Sequence, residues 1–312
     1  MDAAISIRGL KKTLRTGFLG RRVDLLHGFD LDVPSGHIFG FVGPNGAGKS
    51  TTIKQLIGAA RPTSGSVAIF GRSPEDPEVR RRIGYLPELP NLPGTVTPRE
   101  LLRLHAGLSR VPRGQRDDRI DALLTRVELA AKADTRIGGF SKGMQQRVGL
   151  ALALVGEPDL LILDEPMSGL DPIGRRLVRD VIRDQKQAGR TVFFSSHVLP
   201  DVEALCDEIA LLAKGRVVVR GALEDVLKES GRGWELRFRA DGEPPAFARG
   251  LGELERHGPS WALRLDDDND PIDTANRLRE AGCSIEHIDP QRASLEDHIV
   301  ALLEAQGIQE AA

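Results

Sequence analysis

His37-Ile38-Phe39-Gly40-Phe41-Val42-Gly43-Pro44-Asn45-Gly46-Ala47-Gly48-Lys49-Ser50-Thr51 is the stretch on which the fold turns. Pro34-Ser35-Gly36 makes a turn into the short apolar strand His37 to Val42. That strand runs straight into Gly43, and from Ser50 a helical pattern continues to about Ala59. Gly43 to Ser50 satisfies G-x-x-x-x-G-K-[ST] between strand and helix, the context that this pattern requires. The glycines let backbone N–H groups turn inward around phosphate oxygens, and the helix that follows aims the positive end of its dipole at the same charge. Lys49 would then contact β- and γ-phosphates, and Ser50 would ligate Mg²⁺. The bland alternative, a glycine turn opening a helix with no ligand, is disfavoured by the context.

Two more distant segments end in chemistry of the same kind. Asp159-Leu160-Leu161-Ile162-Leu163-Asp164-Glu165-Pro166 reads as an apolar strand with two acids at its carboxyl end, where α/β sheets bind ligands. Asp164 suits a magnesium site, and Glu165 suits orientation of an attacking water or general-base work. Each acid could instead cap a following loop. His197 follows the strand-like Thr191-Val192-Phe193-Phe194-Ser195-Ser196, so it too would lie just beyond a strand. With two acids at the end of another strand, His197 is read as touching the γ-phosphate or the geometry that holds water, rather than as a structural histidine.

Ile5 to Leu10 and Val23 to Val33 alternate as strands, and Ser66 to Phe70 and Ile83 to Tyr85 read as further short ones. Arg99 to Leu108 and Gln115 to Leu129 look like amphipathic helices with no strand between them, which suggests an inserted helical subdomain from about Pro98 to Gly139. A helix from about Gly143 to Val155, then strands around 160–163, 191–195 and 208–213, imply a largely parallel, covered sheet. After Gly221 the composition shifts. Strand candidates Trp234 to Ala240, Trp261 to Leu265 and Ser284 to Ile288, with helices Pro271 to Ala281 and Ser294 to Leu303, make a small α/β module. The expected division is therefore 1–222 and 223–312.

Composition limits the alternatives. With 312 residues and 40% apolar content the chain can supply one sizeable core and a smaller one, but it has no apolar run near the roughly 20 residues that cross a bilayer. A net charge of -2 gives no global field for nucleic acid, so no nucleic-acid partner is expected. Cys206 and Cys283 have neither ligand spacing nor a disulfide pattern, and the start MDAAISIRGLKK lacks a signal core, so a reducing compartment is the simplest reading.

These motifs and their order resemble the ATP-binding subunit of ABC transporters over about residues 5 to 220. Gly43 to Thr51 looks like that family's Walker A, and Leu160 to Glu165 looks like its Walker B followed by the catalytic glutamate. Ser168-Gly169-Leu170-Asp171 matches the D-loop, and Ser196-His197 matches the switch region. Phe140-Ser141-Lys142-Gly143-Met144-Gln145-Gln146-Arg147 falls where the family carries its signature, with Ser-Lys-Gly-Met-Gln in place of the usual Ser-Gly-Gly-Gln-Gln. Glu88 stands where the family's Q-loop glutamine is usual; a carboxylate can approach magnesium or water but cannot donate as an amide does. Leu14 stands where an adenine-stacking aromatic is common, with Phe18 as a substitute or merely a packing residue.

The resemblance implies an α/β phosphate-loop NTPase of the ABC-ATPase fold, with an antiparallel β subdomain, the helical insert and the C-terminal module. It implies ATP and Mg²⁺ as ligands. Gly43, Pro44, Asn45, Gly46, Ala47, Gly48, Lys49, Ser50 and Thr51 would hold the nucleotide, together with Glu88, Ser141, Gly143, Gln145 and Asp171. Ser50, Asp164 and Glu88 would face the metal, and Glu165 and His197 would be catalytic. One phosphate loop and one signature per chain imply a second ATPase subunit, either a second copy or a similar chain, with each signature meeting the other's γ-phosphate. They also imply separate membrane permease subunits docked on 98–139 and the Glu88 loop, and hence a cytoplasmic, peripheral location on the inner face of the membrane. Ile38-Phe39-Gly40-Phe41, the variant signature and Ala293-Ser294-Leu295-Glu296-Asp297 favour export over import within the resemblance. The C-terminal module could stabilise the dimer, regulate hydrolysis or touch the permease. The rival reading, a soluble ABC ATPase working on ribosomes or DNA, usually carries two cassettes or a long coiled-coil insertion, and neither is visible here.

Overall fold

The computed structural model describes residues 3–16, 21–228, 232–265, 269–292 and 295–305. Phe18, Ala293 and Ser294 lie outside them. The chain divides into two compact units, Met1–Ala222 and Leu223–Ala311.

In the first unit, β1 (Ala3–Thr16) pairs antiparallel with β2 (Arg21–Pro34) on one side and β4 (Ser64–Ile69) on the other. The two long strands outrun the apolar alternation of 5–10 and 23–33, because Lys11 to Thr16 pair through their backbones in a hairpin that needs no buried side chains. The second sheet is built on β3 (Ile38–Val42), β5 (Ile83–Leu86), β6 (Leu160–Asp164), β7 (Thr191–Ser196), β8 (Glu208–Ala213) and β9 (Arg216–Ala222). Its order is β5-β6-β7-β3-β8-β9, with the first five parallel and β9 antiparallel to β8. At the centre of its core Phe39 stacks on Phe193, and Phe41 packs against Phe193 at a tilt.

Helices α1 (Lys49–Leu56) and α2 (Pro77–Arg81) follow β3 and β4. Helix α1 stops at Leu56, short of the expected Ala59. The helical insert holds α3 (Pro98–Leu108) and α4 (Arg116–Arg126), then 3₁₀ turns lead into α5 (Lys142–Leu154). Thr97 and Glu100 form a reciprocal capping box that fixes the start of α3. Helix α4 ends before the expected Leu129 because Glu128 takes a left-handed φ of 55°. Helix α6 (Pro172–Gln187) lies between β6 and β7, and α7 (Leu199–Glu203) follows β7.

The second unit opens with α8 (Leu223–Lys228) and has an antiparallel sheet of order β11-β12-β10-β13. Its strands are β10 (Arg232–Arg239), β11 (Gly252–His257), β12 (Ser260–Leu265) and β13 (Ser284–Arg292). Helices α9 (Pro271–Glu280) and α10 (Leu295–Ala305) complete it, and Leu236, Phe238, Leu263 and Leu278 form its core. Among the described residues no helix is long and apolar enough to cross a membrane.

Candidate nucleotide site

The site is assembled at the carboxyl ends of three adjacent parallel strands, β6, β7 and β3. All three are buried along their length, so their ends are the first positions at which polar side chains can emerge. Beyond β3 the chain turns through Gly43 to Gly48 into α1. A Cβ on Gly43 would sit 2.1 Å from the Leu212 carbonyl oxygen, and Gly48 takes φ 111° as the N-cap of α1. The first demand is for space and the second for a left-handed backbone; glycine meets both.

Lys49 is 6% exposed, and its ammonium donates to the Gly43 carbonyl at 2.5 Å and lies 3.3 Å from Glu165 Oε1. A buried ammonium needs such partners, and phosphate oxygens would provide stronger ones. Ser50 Oγ lies 3.4 Å from Asp164 Oδ1. Glu165 Oε2 lies 2.8 Å from His197 Nδ1, and its buried Oε1 has the Lys49 ammonium as its partner. Glu165 adopts a left-handed φ of 48°, a strain of about 1–2 kcal/mol for a residue with a Cβ, concentrated where the chain turns its carboxylate toward Lys49 and His197. Burial pushes the Tyr85 hydroxyl up to about 12, helped by the negative charge of Asp164, so this neighbour stays neutral.

Lys49, Ser50, Asp164, Glu165 and His197 thus come together, from three places in the sequence. The donor set fits magnesium, which keeps several waters and takes one or two protein oxygens beside phosphate. A hydroxyl and a carboxylate oxygen close together are such a pair, and among the described residues no group of three or more His, Cys, Asp or Glu forms an all-protein cage.

Ser141, Gly143 and Asp171 lie elsewhere. They line a cleft of about 400 Å³ with Lys142, Met144, Arg147, Gly169 and Leu170. Ser141 caps α5 by accepting from the Met144 N–H, Asp171 caps α6 by accepting from Gly174 N–H at 2.7 Å, and Gln145 donates to the Phe140 carbonyl. Glu88 is exposed in the loop after β5 and shares no hydrogen bond or ion pair with the acids among the described residues. Leu14 is 41% exposed.

Two polar residues near the acids are given no role by the motifs. Gln146, 2% exposed on α5, points its amide at the Pro166 carbonyl just after Glu165, at 3.5 Å. Ser195 is fully buried in β7 between the two acids: its hydroxyl donates to Asp164 Oδ1 at 2.7 Å and accepts from the Glu165 N–H at 3.0 Å. A serine within an apolar strand is the sequence signal, weak until the strand's neighbour is known.

A family model described as ABC transporter matches residues 26–168. An uncharacterised ABC transporter ATP-binding protein of Synechocystis is 37% identical over 302 residues, 96% of this chain and 84% of that protein. A fluoroquinolones export ATP-binding protein of Mycobacterium tuberculosis is 40% identical over 220 residues, 70% of this chain and 72% of that protein. The solved dimer of an ATP-binding cassette in a post-hydrolysis state with ADP and Pi superposes with a TM-score of 0.65 at 25% identity, over 70% of this chain and 98% of that one. Fold, site geometry and relatives agree: the chain belongs to the ATP-binding subunits of ABC transporters, and is an ATPase of that family.

Proposed function

We propose that the chain is the energy-coupling subunit of an exporter whose membrane-crossing permease is a separate polypeptide. The observation that supports this most is the convergence of Lys49, Ser50, Asp164, Glu165 and His197 on one phosphate loop in a chain whose relatives include a drug-export ATP-binding protein. ATP binds with its phosphates along Gly43 to Thr51, held by loop N–H groups, the start of α1 and the Lys49 ammonium. Ser50 and Asp164 would hold Mg²⁺, whose chemistry there would be neutralisation of phosphate charge. Glu165 orients the attacking water and accepts its proton, and His197, hydrogen-bonded to Glu165, fixes that carboxylate's direction and lies beside the γ-phosphate.

Two copies, or one copy and a similar chain, close two such sites. Ser141, Gly143, Gln145 and Asp171 face the nucleotide of the opposite subunit, so ATP joins the subunits and hydrolysis releases them. Residues 98–139 and the Glu88 loop receive the permease, which keeps the chain peripheral on the inner face of the membrane. Co-expression with the membrane protein encoded beside it is the test. The expected result is co-purification and an ATPase rate that changes with the partner; no association and no change in rate would refute the coupling role.

A further inference from the structure

We infer that Ser195 is a positioning residue of this site, one hydroxyl that sets the direction of the metal-facing acid and the backbone of the water-facing acid together. The inference rests on the reading of Asp164 and Glu165 given above. In the parallel pairing of β6 with β7, Asp164 and Ser195 are register partners, so the hydroxyl reaches the carboxylate across the sheet without any loop between them. A hydroxyl has one proton to give and lone pairs to receive. Ser195 receives the Glu165 N–H at 3.0 Å and gives its proton to Asp164 Oδ1 at 2.7 Å, so its rotor has a single arrangement that satisfies both. The same Oδ1 lies 3.4 Å from Ser50 Oγ, which places Ser195 behind the pair that faces the metal.

The second bond acts on the other acid. Glu165 holds a left-handed backbone at φ 48°, and the Ser195 hydroxyl satisfies the buried N–H of that residue. With Ser195 fully buried, no water can replace either bond in the folded protein. A serine that only filled space in β7 would be replaceable by alanine without consequence for metal or turnover. A serine that orients a ligand from behind behaves differently, because such partners typically change metal affinity or activity by about 10–100-fold.

The test uses the full chain and Ser195→Ala, with folding checked by a cooperative thermal transition. Binding of ADP is measured by calorimetry without metal, and binding of Mn²⁺ to the ADP complex by its paramagnetic signal. The expected result is Mn²⁺ affinity weakened about 10-fold or more and kcat lowered by a similar factor, with metal-free ADP affinity unchanged and KM for ATP changed much less. Ser195→Thr, which keeps the hydroxyl, recovers metal affinity and kcat. Alanine values within twofold of wild type overturn the inference, as does an equal loss with and without metal or a threonine variant that recovers nothing. If alanine does not fold, Ser195→Cys, a far weaker donor, is read by the same two quantities. A wild-type chain that ignores Mg-ATP would instead sink the nucleotide site itself.

Discussion

Strands β3, β6 and β7 of the first unit are buried at every residue, whereas β11 of the second unit has four of its six residues exposed and β12 exposes Arg264 within an otherwise covered run. The buried polar residues follow the same division. The first unit buries Lys49, Gln146, Asp164, Glu165, Ser195 and Ser196; the described buried polar residues of the second are Ser260 and Thr274. A parallel sheet covered on both faces forces its polar chemistry to the strand ends, where several chains of residues meet. An antiparallel sheet with a wet face can put its charges anywhere on that face, and β10 and β12 do so with Glu235, Arg237 and Arg264. Of the buried ionisable groups, Lys49, Asp164 and Glu165 gather at the strand ends, whereas Asp201 pairs with Arg179 away from them.

Glu165 is the residue at which substitution should cost the most activity. Replacing it with glutamine keeps shape and the Ser195 bond to the backbone but removes the proton acceptor, so turnover should fall about 10³-fold, within the range for loss of a general base. ATP binding should persist, and dimers should accumulate on gel filtration in ATP. Unchanged turnover would dismiss Glu165 as the water-facing carboxylate.

Two matched helix caps separate the units with a smaller effect. Asp171 caps α6 in the first unit and Asp270 caps α9 in the second, each followed by proline at the first helical position. Each Asp→Ala change should cost about 1 kcal/mol of stability, read from denaturant midpoints. Only Asp171→Ala should also lower the ATPase rate, several-fold, since Asp171 shares its cleft with Ser141 and Gly143. Equal ATPase rates for the two variants would reduce Asp171 to a cap.

What the sequence discloses follows the range of the forces involved. The phosphate loop is legible because glycine spacing, lysine and helix start are all local, and Asp164 and Glu165 are legible because an apolar run ends in them. Ser195 is not, because its meaning comes from register with a strand thirty-one positions away. Strand β9 and strand β11 are also missed: one is an edge strand of half-covered residues, and the other carries Glu253, Glu255, Arg256 and His257, so neither shows apolar alternation. In both, backbone pairing with β8 or β12 makes the strand. The cleft of Ser141 and Asp171 does not include Lys49, and under the proposed function a second subunit would bring the two together.

The smallest expected effect concerns the antiparallel sheet of the first unit, away from the nucleotide. A hydrogen bond from the Arg8 guanidinium holds the Asp32 carboxyl below its ordinary range; burial opposes this and a hydrogen bond from Ser6 assists it. A carboxyl whose folded value is depressed contributes stability that is complete above its unfolded value of about 3.9 and is lost as pH falls through the folded value. Arg8 is 53% and Asp32 38% exposed, so water and salt screen the pair and the contribution should stay below about 1 kcal/mol. Between pH 5 and pH 3 at low salt, the urea midpoint of the first unit should fall slightly more in wild type than in Asp32→Asn, and the difference should shrink in 1 M salt. Identical pH dependence in the two proteins would mean that the pair is present in the fold without stabilising it, as many surface ion pairs are.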